Sequence, residues 1–410
     1  MRIFYTLSIQ LYFLAISLTA LFGKKKAKQW LNGRQKWQEK LEGVILTDKS
    51  VAWFHAASLG EFEQARSLIE KVKKEQPHYF ILLTFFSPSG YEVRKDYSKA
   101  DFVCYLPLDT IKNAKKFLKI VQPKIAVFVK YEFWFNLLKV LNKQEINTIL
   151  ISGIFRENQH FFKAYGGWFR KHLKAFNHFY VQNEISQQLL EGIGHTNVSV
   201  VGDTRFDRVV SLAEEKYEDQ RFESFSENNK VIVFGSSWST ENEVAIELSK
   251  LGGEEKIIIA PHEINASKIE KLKQALDGQV SLFSETKEDQ DLSGFKVLII
   301  DQIGLLSKIY RFASIAVIGG GFGAGIHNTL EAAVYGCSVL FGPNYQKFQE
   351  AQDLLKKGGA YSAKDKTELL EQIQQLLNDD EKNEHVAKLA QDYVKGNAGA
   401  TTKIAQESFS

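Results

Sequence analysis

At 410 residues, 44% of them hydrophobic and 25% charged, the chain is long enough for two packed domains, because one hydrophobic core rarely grows past roughly 250 residues. A formal charge of +3 supports neither a nucleic-acid partner nor a strongly acidic one. Cys104 and Cys337 stand far apart beside apolar residues, which excludes a disulfide framework or a paired-cysteine zinc site and suits a reducing cytoplasm.

In chain order, Ile3 to Phe22 is almost wholly apolar and runs into Lys24, Lys25, Lys26, Lys28, Arg34 and Lys36. The run is about one bilayer span and ends in lysines rather than at a small-residue cleavage site, so it reads as a retained anchor with its basic flank in the cytoplasm. An apolar helix packed on the body of the protein is the other reading.

Short apolar runs then alternate with amphipathic stretches. Val51 to Phe54, Phe80 to Thr84, Ile125 to Val129, Thr148 to Ser152 and Phe179 to Gln182 read as buried strands. A second series follows at Val231 to Phe234, Lys256 to Ala260, Val297 to Ile300, Ile315 to Ile318 and Val339 to Phe341. The alternation predicts βαβ units and two doubly wound α/β sheets. The polar stretch Ala213 to Lys230 separates the two series and reads as the domain boundary, and the tail from Lys364 reads as helical.

Several segments suit chemistry. Ser58 and Glu61 follow a strand at capping-box spacing, so Glu61 reads either as a helix cap or as a general base. Ser236 and Ser237 end a strand, and Thr240 with Glu243 reads as the next cap, a setting in which helix N–H groups hold phosphate. The run Gly319-Gly320-Gly321-Phe322-Gly323-Ala324-Gly325 would let a ligand approach the backbone, or serve as a turn alone. His327 and Asn328 follow it, and Glu331, read as one helical turn further on, could accept from a ribose diol. His262 is a phosphate donor or a plain loop residue. Asp289-Gln290-Asp291 has a metal-binding D-x-D pattern but lies in a charged, solvated stretch, and no His/Cys cluster has metal-ligand spacing, so no cofactor or metal is expected. Phe161 to Phe176 interleaves aromatics with cations, which suits acyl chains and anionic head groups or a partly buried amphipathic helix.

Taken together, His55-Ala56-Ala57-Ser58-Leu59-Gly60-Glu61, Tyr131-Glu132-Phe133-Trp134, Gly202-Asp203-Thr204-Arg205-Phe206-Asp207, Ala260-Pro261-His262, Asp301 with Gly304 and Leu306, and Gly325-Ile326-His327-Asn328-Thr329-Leu330-Glu331 leading to Gly342-Pro343 resemble the Kdo transferases of lipopolysaccharide assembly. Pro261, Leu305, Lys130 and Phe135 depart from that family's pattern. The resemblance implies a GT-B fold, two Rossmann-like domains facing a cleft. It divides the chain into an anchor (1–23), an acceptor-binding domain (24–212) and a CMP-Kdo-binding domain (213–410) whose last helix packs back on the first.

It further implies an inverting transfer of Kdo from CMP-Kdo to a lipid A precursor on the cytoplasmic face of the inner membrane, with no nucleic acid involved. Glu61 becomes the catalytic base. Ser58, Glu132 and Arg156 fall to the acceptor, and Arg205, Ser236, Ser237, His262, Gly320, Gly321, His327, Asn328 and Glu331 to the donor. The alternatives are a GT-B enzyme with a UDP-sugar, either a lipid-linked aminosugar transferase or an epimerase, and a non-catalytic sugar-nucleotide-binding membrane protein.

Overall fold

The computed structural model describes residues 1–45 and 49–409, which divide into two compact units, 1–208 with 398–410, and 209–397. The first unit holds β1 (Ser50–Ala56), β2 (Tyr79–Phe85), β3 (Phe102–Tyr105), β4 (Pro123–Val129), β5 (Asn147–Gly153), β6 (His178–Val181) and β7 (Val198–Val200). They form one seven-stranded sheet in the order β3-β2-β1-β4-β5-β6-β7, every pair parallel.

The sequence explains that choice. Parallel strands are covered by helices on both faces, so they need continuous apolar runs rather than alternation. In β1, Trp53 packs on one face with Phe117 and Phe128, while Ala52 and Phe54 face the other with Phe62 and Phe409. The C-terminal helix Ala400–Phe409 therefore completes the first unit: Phe409 stacks on Phe54 at 6.0 Å and meets Tyr79 edge-on at 5.7 Å, and Tyr180 bonds Ser408 at 2.9 Å.

The second unit holds β8 (Val231–Ser237), β9 (Lys256–Pro261), β10 (Val280–Leu282), β11 (Val297–Ile299), β12 (Ile315–Ile318), β13 (Ser338–Phe341) and β14 (Ala360–Ser362). Their order is β10-β11-β9-β8-β12-β13-β14, again all parallel. In each unit the strand order reverses beside the first strand, between β1 and β4 and between β8 and β12. Loops leaving the carboxyl ends of such a pair diverge to opposite faces and open a crevice for ligands.

Two expectations need correction. The stretch 213–230, expected to be the domain boundary, lies inside the second unit: helix Gln220–Ser226 falls within it, with Phe222 and Phe225 fully buried and Phe222 stacked on Phe283 and Phe312. The chain divides after Arg208 instead, within helix Thr204–Glu214. The stretch 161–176 is not one amphipathic helix but two short turns and helix Gly167–Leu173, with Phe161 and Phe176 turned into the core.

The N-terminal helix Arg2–Leu21 is long and apolar enough to cross a membrane. It is also seated on the first unit. Tyr5, Ile9, Ile16 and Ala20 form a covered or half-covered stripe, whereas Ile3, Phe4, Leu7, Leu11, Leu14, Leu18 and Leu21 are exposed. Arg34, just beyond the next helix, closes this seat. Its guanidinium lies 3.8 Å from the Trp30 ring centre and donates to the carbonyls of Leu106, Trp30 and Phe86.

Removal of the Phe409 ring tests the C-terminal closure. Phe409→Ala is expected to destabilise the first unit by about 3 to 5 kcal/mol, the scale of a buried Phe→Ala truncation. Denaturant unfolding read from each unit separately checks it: the second unit's transition stays in place.

Candidate active site

In the first unit the candidate residues gather at the reversal between β1 and β4. β1 ends at Ala56, and Ser58 starts helix Leu59–Glu75 as its N-cap. The capping box anticipated there is formed. Glu61 Oε2 accepts from the Ser58 N–H at 2.9 Å and from the Ser58 hydroxyl. Both bonds end on the same carboxylate oxygen, so the cap orients Glu61 without occupying its other oxygen. Glu61 is half-buried.

β4 ends at Val129, and Lys130 turns the chain with a left-handed φ of 57° into Tyr131–Trp134. The Trp134 indole N–H is shared between Glu132 Oε2 at 2.7 Å and His55 Nε2 at 2.9 Å, which lie 3.3 Å from one another. His55 is fully buried, and its Nδ1 meets the Thr84 hydroxyl at 2.9 Å. Phe86 links the two loops: its ring centre is 4.5 Å from that of Trp134, and its N–H bonds the Ala57 carbonyl next to Ser58. The structure thus brings Ser58, Glu61 and Glu132 into one neighbourhood.

Arg156 lies on the edge of the same region. It donates to the Tyr131 hydroxyl at 3.1 Å and lines, with Tyr131, Phe133, Phe135 and Phe169, a surface cavity of about 560 Å³. Arg205 is a member of the first unit and is ion-paired with Asp203, its Nε 2.9 Å from Oδ2, while Gln64 and Gln182 donate to the same oxygen.

In the second unit the remaining residues collect at the reversal between β8 and β12. Ser236 takes a left-handed φ of 52°, Ser237 is buried, and helix Ser239–Ser249 follows. Its cap is not Thr240 with Glu243, as expected from spacing, but Trp238 with Glu241, two residues earlier. The Trp238 N–H donates to Glu241 Oε2 at 3.0 Å. Glu241 Oε1 accepts from the Gly320 N–H at 3.0 Å, so this buried carboxylate ties the helix start to the glycine turn.

That tie changes the meaning of the glycine run. The Gly320 N–H, expected to serve an anion, is taken by Glu241, and the close approach the glycines permit is made by the protein's own backbone. A Cβ on Gly319 would stand 2.0 Å from the Ser236 carbonyl oxygen, and one on Gly321 2.5 Å from the Gly342 nitrogen. Close packing of β12 on β8 and β13 uses the space.

His262 is exposed and lies between two rings, stacked on Trp238 at 4.5 Å and near His327 at 4.6 Å. Burial, with His262 beside it, holds the His327 imidazole below its usual range and favours the neutral form at pH 7. Asn328 donates to Glu331 at 2.9 Å and accepts from the Leu330 N–H. Glu331 falls in the first turn of a four-residue helix, Leu330–Ala333, not a full turn into a longer one. Asp301 fastens the start of a short turn by accepting from the Ser284 N–H at 2.9 Å. Asp291 accepts from the Ser293 N–H, which holds its carboxyl low, and among the described residues no His, Cys, Asp and Glu group is arranged to hold a metal.

Sequence reasoning missed His55 and Trp134 as partners of Glu132, Glu241 as the tie, and Trp238 as the stacking partner of His262. Glu241 carried a usable signal, four residues after the end of β8; tryptophan is simply not a residue from which a cap is inferred.

Residues 33–208 match the family model described as 3-Deoxy-D-manno-octulosonic-acid transferase (kdotransferase). A 3-deoxy-D-manno-octulosonic acid transferase of Aquifex aeolicus is 29% identical over 341 residues, 80% of this chain and 87% of the relative. A bifunctional glycosyltransferase/methyltransferase of Fusobacterium nucleatum is 26% identical over 91% of this chain, which spans 59% of that longer protein. Among solved structures, a UDP-GlcNAc 2-epimerase of Neisseria meningitidis bound to UDP-GlcNAc superposes with a TM-score of 0.60 at 17% identity, covering 87% of this chain and 98% of the other. That likeness establishes the two-domain GT-B architecture alone.

The glycine packing is open to test. Gly319→Ala is expected to destabilise the second unit by about 1 to 3 kcal/mol or more through overpacking. Gly323→Ala, whose Cβ would meet only the Gly320 carbonyl oxygen at 3.7 Å, is expected to leave the melting temperature near the parent's in differential scanning fluorimetry.

Proposed function

The chain belongs to the 3-deoxy-D-manno-octulosonic acid transferase family, and from that premise we propose that it moves Kdo from CMP-Kdo to a lipid A precursor with inversion at the anomeric carbon. The observation that carries the assignment of roles is the seating of Glu61, at the strand-order reversal of the first unit and fixed by Ser58 through one oxygen only.

In this reading Glu61 Oε1 accepts the proton of a primary hydroxyl on the acceptor sugar. The hydroxyl oxygen attacks the ketosidic carbon of Kdo, and the bond from that carbon to the phosphate oxygen breaks with its electron pair leaving on CMP. A base already oriented by a cap loses little entropy in reaching the proton, which is the advantage of a preorganised site. Glu132, oriented by Trp134 and His55, serves the acceptor sugar as a second carboxylate. Arg156 at the mouth of the aromatic cavity suits an acceptor phosphate.

Negative charge building on the departing phosphate is met in the second unit by the start of helix Ser239–Ser249 and by the imidazoles of His262 and His327. Glu331 and Asn328 fall to the ribose. The exposed apolar face of the N-terminal helix and the lysines after it suit a lipid surface with anionic head groups, which would place the acceptor within reach at the cytoplasmic face of the inner membrane.

Glu61→Ala is expected to reduce Kdo transfer at least a thousandfold, the upper range of removing a general base, while leaving CMP affinity unchanged and costing the first unit only about 1 kcal/mol for the lost cap. Product formation followed by mass spectrometry, beside calorimetric CMP binding, checks this, and near-normal turnover rejects the role. For the donor side, an anion beside His327 stabilises its charged form, so binding takes up a proton at neutral pH. CMP affinity is therefore expected to rise as pH falls through neutrality, and His327→Gln to flatten that slope in titration calorimetry.

A further inference from the structure

The N-terminal helix carries more than its exposed apolar face requires. Its Tyr5 hydroxyl donates to Asp109 Oδ2 at 2.7 Å, and Asp109 is buried, 3% exposed. The same carboxylate accepts from the N–H groups of Asn136 at 3.1 Å and Leu137 at 2.9 Å, the start of helix Phe135–Lys143. Asn136 answers with its side-chain amide, which donates to the Asp109 carbonyl at 2.8 Å and to Thr6 on the N-terminal helix at 3.2 Å. The Tyr5 ring meets Phe135 edge-on at 5.1 Å.

These contacts end on the segment that follows Glu132 by three to five residues. A second set reaches the same place from the other side. Tyr12, two turns along the N-terminal helix, stacks on Phe86 at 6.0 Å, and Phe86 packs on Trp134, whose indole N–H holds Glu132. One helix therefore touches the Glu132 segment through a buried polar bond and through an aromatic chain. Attachment alone asks for neither, since a buried carboxylate is costly unless donors satisfy it. Here the donors come from both the helix and the segment.

We infer that Tyr5 and Asp109 are positioning residues through which the seated N-terminal helix fixes the 131–137 segment, and with it the Glu132 carboxylate, for the acceptor. The inference rests on the acceptor-side role given to Glu132 under the proposed function. The helix is then a working part of the acceptor site in addition to a means of attachment, and the two roles separate experimentally.

The test uses the full chain in phospholipid vesicles with three proteins: the parent, Tyr5→Phe, and a variant whose residues 2–21 are replaced by an unrelated leucine-rich helix of equal length. Vesicle co-sedimentation, the KM and kcat for CMP-Kdo and for the lipid acceptor, and amide exchange at Asn136 and Leu137 are measured for each. Tyr5→Phe is expected to keep the ring contacts, the co-sedimentation and the donor KM, and to lower the acceptor kcat/KM by about tenfold, the scale of one hydrogen bond to a charged acceptor. The helix replacement is expected to lower it further, with faster exchange at Asn136 and Leu137.

Parental acceptor kinetics in the replaced-helix protein overturn the inference, as does a loss in Tyr5→Phe that only tracks reduced co-sedimentation. Unchanged amide exchange in the replaced-helix protein overturns it as well. Absence of transfer by the parent protein removes the functional reading instead, because the exchange arm reads the coupling between helix and segment with no turnover.

Discussion

Every strand pairing described in either sheet is parallel, and that constraint decides where chemistry can sit. Parallel strands deliver all their carboxyl ends to one edge of the sheet, and where the order reverses the departing loops part. Ser58 and Glu61 leave β1 and Glu132 leaves β4 at one such point; Ser237 leaves β8 and Gly319 leaves β12 at the other. The residues of each site are far apart in sequence and adjacent in space for this one reason. The cap at Ser58 then turns a flexible carboxylate into an aimed one.

The strands were legible because burial on both faces writes itself as unbroken runs of Val, Ile, Leu and Phe. Those missed, β3, β7, β10 and β14, are three or four residues long and lie at or next to sheet edges, where fewer apolar positions are needed and the run is too short to stand out. Helix Gln220–Ser226 escaped for a related reason. Its core contribution is two phenylalanines set among Glu, Ser and Asn, and local polarity concealed two fully buried rings, one of them stacked on Phe283 and Phe312.

The candidate site is legible in the sequence as positions but not as partnerships. Spacing located Ser58 and Glu61, and the structure closes that box as spacing implies, because cap and partner lie within one turn. Glu132 was found without His55 and Trp134, whose contact with it depends on the pairing of β1 with β4. The glycine run reads either as open to ligand or as a turn alone, and three of its members are consumed by contacts with Ser236, Gly325 and Gly342. Glycine permits close approach by any backbone, and a linear pattern does not say whose.

Two buried charges without a formal counter-ion in their bonds hold the N-terminal region, and both are satisfied largely by backbone. Arg34 donates to three carbonyls under the Trp30 ring, and burial pulls its guanidinium down to about 9, still protonated at neutral pH. Asp109 accepts from two N–H groups and Tyr5, and burial pushes its carboxyl up to about 6 against those donors. For a helix that is apolar on its seated and its exposed faces alike, apolar packing supplies little preference for one seat over another, because such contacts are non-directional. Polar bonds to fixed backbone do supply it, because each has one geometry and a missed partner is penalised. The apolar residues of the helix thus bring it to the surface of the first unit, and the Tyr5–Asp109 bond decides where on that surface it stops, while Arg34 fixes the Trp30 ring on which Tyr12 and Phe13 pack.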